Sequence, residues 1–482
     1  MIITIEKIVY LGKALGRGED GIATFVEGAL PGEKVDVTVT KAKKTFKEAK
    51  LVSVLEPSPM RIEPECPSFA KCGGCAFQHI SYENQLKIKK EYVEELLKPV
   101  YSEPVEVIPS PEIWGYRNKM EFSYFNDNSG LQIGLHQKGE FNRYFPVPPC
   151  LISDKEMMPV LEMVLNFSRG SLIPCYDKRA HEGFYRHLVL RKAKSTGQLL
   201  VNLVTNAKTE ANPATFEELV KFLKVSTASF HWTINSSVSD AVQADSMILL
   251  SGAETIEESV TVRGRKYSFI ISPFSFFQTN TFGAEKLYEL AVDFLEPAKT
   301  DTVLDLYCGT GTIGIIVAPF VKEVVGVEQV EDAVKDAEQN KLRNKIDNIR
   351  FKAGAVEKWL KSPNNSAKTK ESFSNGGRNS DIRENHDLNQ QDVGIKLPDK
   401  PVFNALILDP PRGGISTKVV KYIDQLKPEK IIYVSCNPST LARDLALIIE
   451  TSGYKINKIK SVDMFPHTYH IETVAQLTIN KQ

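Results

Sequence analysis

Polar and apolar residues alternate through Lys34-Val35-Asp36-Val37-Thr38-Val39-Thr40, the period-two pattern of a strand with one buried face. Residues 1 to about 56 hold several such short stretches, punctuated by glycines and the turn pair Pro31-Gly32, which predicts a small β-barrel such as the OB type. Pro57-Ser58-Pro59 closes it. Further on, Met120–Phe125 and Leu131–His136 read as strands joined by the turn 126–130, and Leu188–Ala193 and Leu199–Val204 read as a second pair. A mixed α+β unit with an antiparallel sheet and few helices is expected over 57–270. From about 270 the pattern changes to strands alternating with helices, the sign of a parallel sheet. Leu287, Leu290, Ala291, Phe294 and Leu295 fall on one helical face and should pack on a core. Thr302–Leu306, Val324–Val327, Ala405–Leu408 and Ile431–Val434 are short apolar runs suited to strands buried on both faces, and residues 470–479 predict a last strand. The expected fold class over 271–482 is α/β, a doubly wound, Rossmann-like sheet. Residues 361–400 are rich in Ser, Asn, Lys and Asp, with Phe373 as their only aromatic, and predict a disordered insertion.

Composition narrows the function classes. The 482 residues suffice for two or three domains, and a hydrophobic fraction of 42% with 25% charged residues is that of an ordinary globular protein. Lys+Arg and Asp+Glu are both 60, so any nucleic-acid affinity must be local. Lys41–Lys50 is one such place, with five lysines against one glutamate around Phe46. Arg117, Lys119, Arg186, Arg191, Lys192 and Lys194 are weaker candidates for phosphate contacts. The N-terminus lacks the basic start and apolar core of a signal peptide, and no apolar run reaches the length of a membrane span. A cytoplasmic protein is expected, in which the seven cysteines stay reduced.

Those cysteines carry the first chemistry. Cys66, Cys72 and Cys75 lie within ten residues, with Gly73-Gly74 letting the backbone curl around a metal centre. A fourth ligand is needed. Cys150, in the stiff segment Val147-Pro148-Pro149-Cys150, is the first candidate and His79 the rival; spacing alone leaves zinc and an iron–sulfur centre both open. Cys436 is different. It follows Ile431–Val434 and precedes Asn437-Pro438 and a new helical stretch, so it sits at a strand-to-helix turn on the carboxyl edge of the sheet. A helix N-terminus there should favour the thiolate, which suits a nucleophile.

Gly309-x-Gly311-x-x-Gly314 follows another strand, and the next strand ends on Glu328, placed to accept hydrogen bonds from ribose hydroxyls. Asp305 beside that turn would repel a pyrophosphate but attract a cationic nucleoside such as S-adenosylmethionine. Asp409-Pro410-Pro411-Arg412 is similar to the motif of amino-group methyltransferases, but Arg412 replaces their stacking aromatic, and Cys436 would have no task there. A methyl donor, a cysteine and a base at Glu472 instead fit methylation of pyrimidine carbon 5, which becomes nucleophilic only after a thiolate adds at carbon 6.

These motifs resemble the uracil-5-methyltransferases of structured RNA, and the resemblance covers nearly the whole chain. The barrel, residues 1–56, is similar to that family's TRAM domain, an RNA-binding module. Cys66, Cys72, Cys75 and Cys150 match its four-cysteine pattern, which implies a [4Fe-4S] cluster in the central domain, 57–270. Phe277-Gln278-Thr279-Asn280 matches the cofactor motif through Gln278. Asp305–Gly309, Glu328 and Asp409 match the other cofactor and active-site positions. The resemblance thus implies that Gln278, Tyr307, Glu328 and Asp409 bind S-adenosylmethionine. Ser435-Cys436-Asn437-Pro438 matches the nucleophile motif and His470-x-Glu472-x-Val474 the general-base motif, implying catalytic roles for Cys436 and Glu472. Thr312 and Ala355 depart from the pattern and receive no role. The implied activity is methylation of uracil carbon 5 in RNA, with 23S ribosomal RNA favoured by the barrel and cluster together and transfer RNA the alternative. A non-catalytic RNA-binding assembly factor is the rival class, and intact Cys436 and Glu472 speak against it. A monomer with RNA as its partner and no membrane contact is expected.

Overall fold

The fold is described from a computed structural model, for residues 1–140, 142–207, 211, 213–224, 226–239, 244–361 and 403–479. The expected insertion lies, from 362 onward, outside the described residues.

Strands β1 (Ile2–Val9), β2 (Lys13–Arg17), β3 (Ala23–Glu27), β4 (Lys34–Ala42) and β5 (Phe46–Glu56) close into a barrel in the order β1-β2-β3-β5-β4. The alternation along β4 turns Val35 and Val37 inward, onto Ile3, Ile5 and Val26. Each such side chain contributes about 1.5–3 kcal/mol when buried, a small core for a free-standing domain. The barrel accordingly leans on the rest of the chain. Ile8 and Leu30 pack into a neighbouring core, and the fully buried Glu33 takes a two-pronged ion pair from Arg61.

Helix α1 (Tyr82–Leu97) and strand β6 (Glu106–Ile108) follow. Ser81 caps α1 by accepting from the Asn84 amide at 3.4 Å, and Ile88, Tyr92, Val93 and Leu97 form its buried stripe. The central sheet holds β7 (Lys119–Asp127), β8 (Gly130–His136), β9 (Tyr144–Pro146), β10 (Tyr185–Lys192), β11 (Leu199–Thr205), β12 (Ser229–Ile234) and β13 (Ser246–Gly252), ordered β13-β12-β11-β10-β7-β8-β9. Helices α2 (Met157–Gly170) and α3 (Glu217–Leu223) cover it. Every pairing is antiparallel except β11 with β12. Several basic residues considered for phosphate contacts are used internally. Buried Arg186 donates to the carbonyls of Asn235, Ser237 and Ser239, and Arg191 to those of Ser272 and Ser275. Lys192 pairs with Glu156, and Lys194 with Asp154.

A hairpin of β14 (Ile256–Val262) and β15 (Arg265–Ile271) leads into α4 (Thr281–Leu295). Then come β16 (Thr302–Leu306), α5 (Thr312–Val317), β17 (Glu323–Glu328), α6 (Glu331–Arg343), β18 (Ile349–Ala353), α7 (Val356–Lys361), β19 (Ala405–Leu408), α8 (Thr417–Leu426), β20 (Lys430–Ser435), α9 (Pro438–Ser452), β21 (Tyr454–Val462) and β22 (Glu472–Ile479). The sheet runs β18-β17-β16-β19-β20-β22-β21-β6. The first five strands are parallel; β22 runs antiparallel to β20 and β21. One core lies under α4 and α5 and includes the expected stripe Leu287, Leu290, Ala291, Phe294 and Leu295. The other lies under α1, α8 and α9. Thus α1 and β6, from the 57–270 stretch, pack with this last unit. Among the described residues no helix is long and apolar enough to cross a membrane.

Candidate active site

Strand order reverses at β16, which has β17 on one side and β19 on the other, and the carboxyl ends at such a point are where open α/β sheets hold ligands in a crevice. Leu306 lies level with Val327 and with Leu408, so Tyr307, Glu328 and Asp409 leave the sheet side by side. Cys436 ends β20. Because β22 runs the opposite way, its first residue reaches the same edge. Ser435 pairs with Thr473, and one register step further sets Cys436 beside Glu472. Gln278 arrives from the segment between β15 and α4. The Thr310 hydroxyl donates to the Phe276 carbonyl at 3.4 Å and lays that segment against the glycine turn.

Local sequence builds each turn. Asn437 caps α9, accepting from the amides of Ser439 (3.1 Å) and Thr440 (3.4 Å), and Pro438 occupies the first turn, where no amide is needed. The Asn437 side chain and the Thr440 hydroxyl also donate to the Arg412 carbonyl at 3.1 and 3.2 Å, tying the loop after β19 to the Cys436 turn. Tyr307 stands at φ +64°, a left-handed conformation that costs a non-glycine residue roughly 1–2 kcal/mol. Gly311 has φ +78°, and a Cβ there would stand 2.4 Å from the Phe351 ring. Glu328 accepts from the amides of Gly309 (3.1 Å) and Val330 (2.8 Å), which fixes its carboxylate at the crevice.

The crevice is crowded with acids. Burial, then Asp409 and Glu328, pushes the Asp305 carboxyl up to about 8. Neither of its oxygens accepts a hydrogen bond of full geometry; the Gly314 amide faces it and lowers it slightly. Desolvation lifts Asp409 to about 7. Glu472, 4% exposed, is raised well above the carboxylate range by burial and then by Asp409. Among the described residues Asp305, Asp409 and Glu472 make no ion pair, and such buried carboxyls fit a ligand that brings a cation, as S-adenosylmethionine does. The expected lowering of the Cys436 thiol is not found. Burial, then Glu472, pushes it up to about 11; Arg412 acts the other way. Sequence reasoning named Arg412 only as a departure from a motif. It is exposed, makes no ion pair among the described residues, and lowers both Cys436 and Glu472. Tyr10, from the barrel, also borders these groups, and no signal in the sequence pointed to it.

Cys66, Cys72, Cys75 and Cys150 line a single cavity of about 430 Å³. The rival His79 is not among the residues that line it; its ring is buried and lies 5.2 Å from that of Phe69. Among the described residues no three His, Cys, Asp or Glu side chains stand close enough to share one metal ion.

A glycine turn at the switch point of a doubly wound sheet, facing unpaired acids, defines a nucleoside-dependent methyltransferase fold. The chain belongs to the tRNA (Uracil-5-)-methyltransferase family, whose model matches residues 81–480, and a TRAM domain matches residues 1–52. An uncharacterized RNA methyltransferase of Caldanaerobacter subterraneus is 39% identical, over 98% of each chain. One of Clostridium tetani is also 39% identical, over 98% of this chain and 96% of the relative. The crystal structure of Pyrococcus abyssi tRNA (uracil-54, C5)-methyltransferase in complex with S-adenosyl-L-homocysteine superposes with a TM-score of 0.73 at 27% identity, over 99% of this chain and 100% of that one. The protein is therefore an S-adenosylmethionine-dependent RNA methyltransferase of the uracil-5 family, with a TRAM barrel at its N-terminus.

Proposed function

We propose that the chain methylates carbon 5 of a uridine in 23S ribosomal RNA through a covalent adduct on Cys436. The observation that carries this reading is the Ser435–Thr473 pairing, which sets a nucleophile and a buried carboxyl side by side on the edge where the acids gather. The Cys436 sulfur, once deprotonated, bonds to carbon 6 of the base, and the displaced electron pair moves to the carbonyl oxygen as an enolate. S-adenosylmethionine supplies the methyl group to carbon 5. Glu472 then takes the carbon 5 proton, the double bond re-forms, and the electron pair of the carbon–sulfur bond leaves with Cys436. Burial suits Glu472 to this, because a carboxylate that is hard to ionise is a stronger base once ionised. Gln278, Tyr307, Glu328 and Asp409 hold the donor. The target uridine must leave its stack to reach Cys436, so an unpaired site is preferred to a duplex.

The same reading gives Cys66, Cys72, Cys75 and Cys150 a [4Fe-4S] cluster with a structural role. Four cysteines lining one cavity, with Gly73-Gly74 between two of them, support this reading.

Transfer RNA is the second reading. The Pyrococcus abyssi enzyme, named for a transfer RNA uracil, shares the architecture end to end, so the barrel does not separate the two substrates. Methyl transfer to unmodified 23S ribosomal RNA and to unmodified transfer RNA, assayed side by side, tests the choice. The ribosomal RNA should be methylated and the transfer RNA not; the opposite result would overturn the substrate, and no transfer to either would overturn the function.

A further inference from the structure

The linker between β21 and β22, residues 463–471, is clamped from several sides. Lys89 on α1 pairs with Asp463 at 2.7 Å and donates to the Phe465 carbonyl at 3.1 Å. The amides of Ala76 and Phe77 donate to the His467 carbonyl at 2.8 and 2.9 Å, and the Tyr116 hydroxyl to that of Pro466 at 3.0 Å. One clamp comes from the barrel. Tyr10, on the turn between β1 and β2, meets Tyr469 edge-on with ring centroids 6.4 Å apart, and the Tyr469 ring lies 4.2 Å from that of His470. Tyr92 holds both partners, its ring 5.8 Å from Tyr10 and its hydroxyl donating to the Tyr469 carbonyl. The turn is shaped for this approach. Gly12 has φ +73°, and a Cβ there would stand 3.3 Å from both Phe77 and Tyr469. The Tyr10 phenol also feels the reacting groups. Burial first, then Cys436 and Tyr469, pushes it up to about 12; Glu472 adds to the rise and Arg412 opposes it.

We infer that the barrel is a working part of the catalytic pocket, with Tyr10 a positioning residue for Glu472 acting through Tyr469 and His470. This rests on the reading of Cys436 as nucleophile and Glu472 as base. Tyr10 is assigned no contact with the reacting atoms and acts through its ring packing on Tyr469. Its packing sets the direction in which the chain enters β22, two residues before the carboxyl. A displaced carboxyl slows removal of the carbon 5 proton but leaves bond formation at Cys436 intact. The methylated adduct, in which sulfur is still bonded to carbon 6, should then build up.

Full-length Tyr10→Ala and Tyr10→Phe would be compared with wild type on uridine-containing RNA, using labelled methyl donor. Turnover, KM for RNA, S-adenosylhomocysteine affinity and a denaturing gel would be read together. At saturating RNA, Tyr10→Ala should lose about ten-fold in kcat, since small misplacements at a reacting centre are costly. KM for RNA should fall in step with kcat, because the slowed step follows methyl transfer, and a labelled protein–RNA band should persist during turnover. Tyr10→Phe keeps the ring and should restore both kcat and the wild-type gel. If Tyr10→Ala fails to bind S-adenosylhomocysteine, Tyr10→Leu, which retains apolar bulk, takes its place in the same assay. A rise in KM alone would make Tyr10 an RNA contact and overturn the inference, as would a loss of kcat without the band. RNA containing 5-fluorouridine separates the two levels, because fluorine cannot leave as a proton and any adduct stays. Wild type forming no adduct with it would sink the Cys436 mechanism. Wild type forming one, while Tyr10→Ala turns over normally, would sink only the role of Tyr10.

Discussion

Cys75 and Cys436 are both half-buried thiols raised above the ordinary cysteine range, to about 12 and about 11, and burial is the main cause in each case. Their neighbours differ. Beside Cys75, after a hydrogen bond to Gln78, the remaining influences are Cys150, Cys72 and Cys66. Beside Cys436 they are Glu472, Arg412 and Asp409. Thiols facing one another can be ionised together only if a cation is held among them. A thiol facing a carboxyl and a guanidinium can exchange one proton within the protein. Burial alone therefore does not decide what a cysteine is for; the identity of the adjacent groups does.

The contrast breaks first, and most visibly, at Glu472. Glu472→Gln keeps the shape and removes the base, so turnover should fall by roughly 10²–10⁴ while RNA and cofactor binding persist. A labelled protein–RNA band should appear on a denaturing gel, and Cys436→Ala should show none. Product release from Glu472→Gln at the wild-type rate would eliminate Glu472 as the base and, with it, the distinction between the two pockets.

A smaller effect sharpens the comparison from the other side. Cys72→Ser should deplete iron and sulfide in anaerobically purified protein and lower the thermal midpoint by about 1–2 °C, as about 1–2 kcal/mol would in a chain of this size. Its kcat per folded molecule should change little. Cys436→Ser should do the reverse, holding the midpoint and losing turnover. Stoichiometric zinc without sulfide would replace the cluster with a simple metal site.

The smallest expected effect is on reactivity. Only the thiolate is alkylated, and burial pushes the Cys436 thiol up to about 11, so its alkylation should rise about ten-fold per pH unit across the neutral and mildly alkaline range. Arg412→Met removes the group that lowers the thiol and should move the profile to higher pH. Glu472→Gln removes a group that raises it and should move the profile to lower pH. Profiles that coincide with wild type would mean that these neighbours do not govern Cys436.

Much of this was legible along the chain because it is local. Period-two alternation with glycine turns marked the barrel, short apolar runs marked the parallel strands, and Asn437-Pro438 marked the turn at Cys436. Features that failed to show depend on distant partners. Helix α1 carries its apolar stripe at Ile88, Tyr92, Val93 and Leu97, but its Lys89 is buried only because Asp463, 374 residues away, receives it. The basic residues of β10 look available for phosphate until the carbonyls that Arg186 and Arg191 bond are in place. The thiolate expected at Cys436 followed from the helix that begins beside it, and that helix is present. Desolvation and Glu472, which only packing brings to the sulfur, raise the thiol instead.

By itself, then, the sequence determined which chemical groups stand at which turns, because a strand end and a helix cap are specified within a few residues. Only the tertiary structure decided which of those groups meet. Glu472 reaches Cys436 because β22 runs antiparallel to its neighbours; in a parallel strand the same residue would start at the opposite edge of the sheet. Strand direction and register are set by burying two whole faces at once, a free energy summed over pairings far apart in the chain and carried by no short stretch of it.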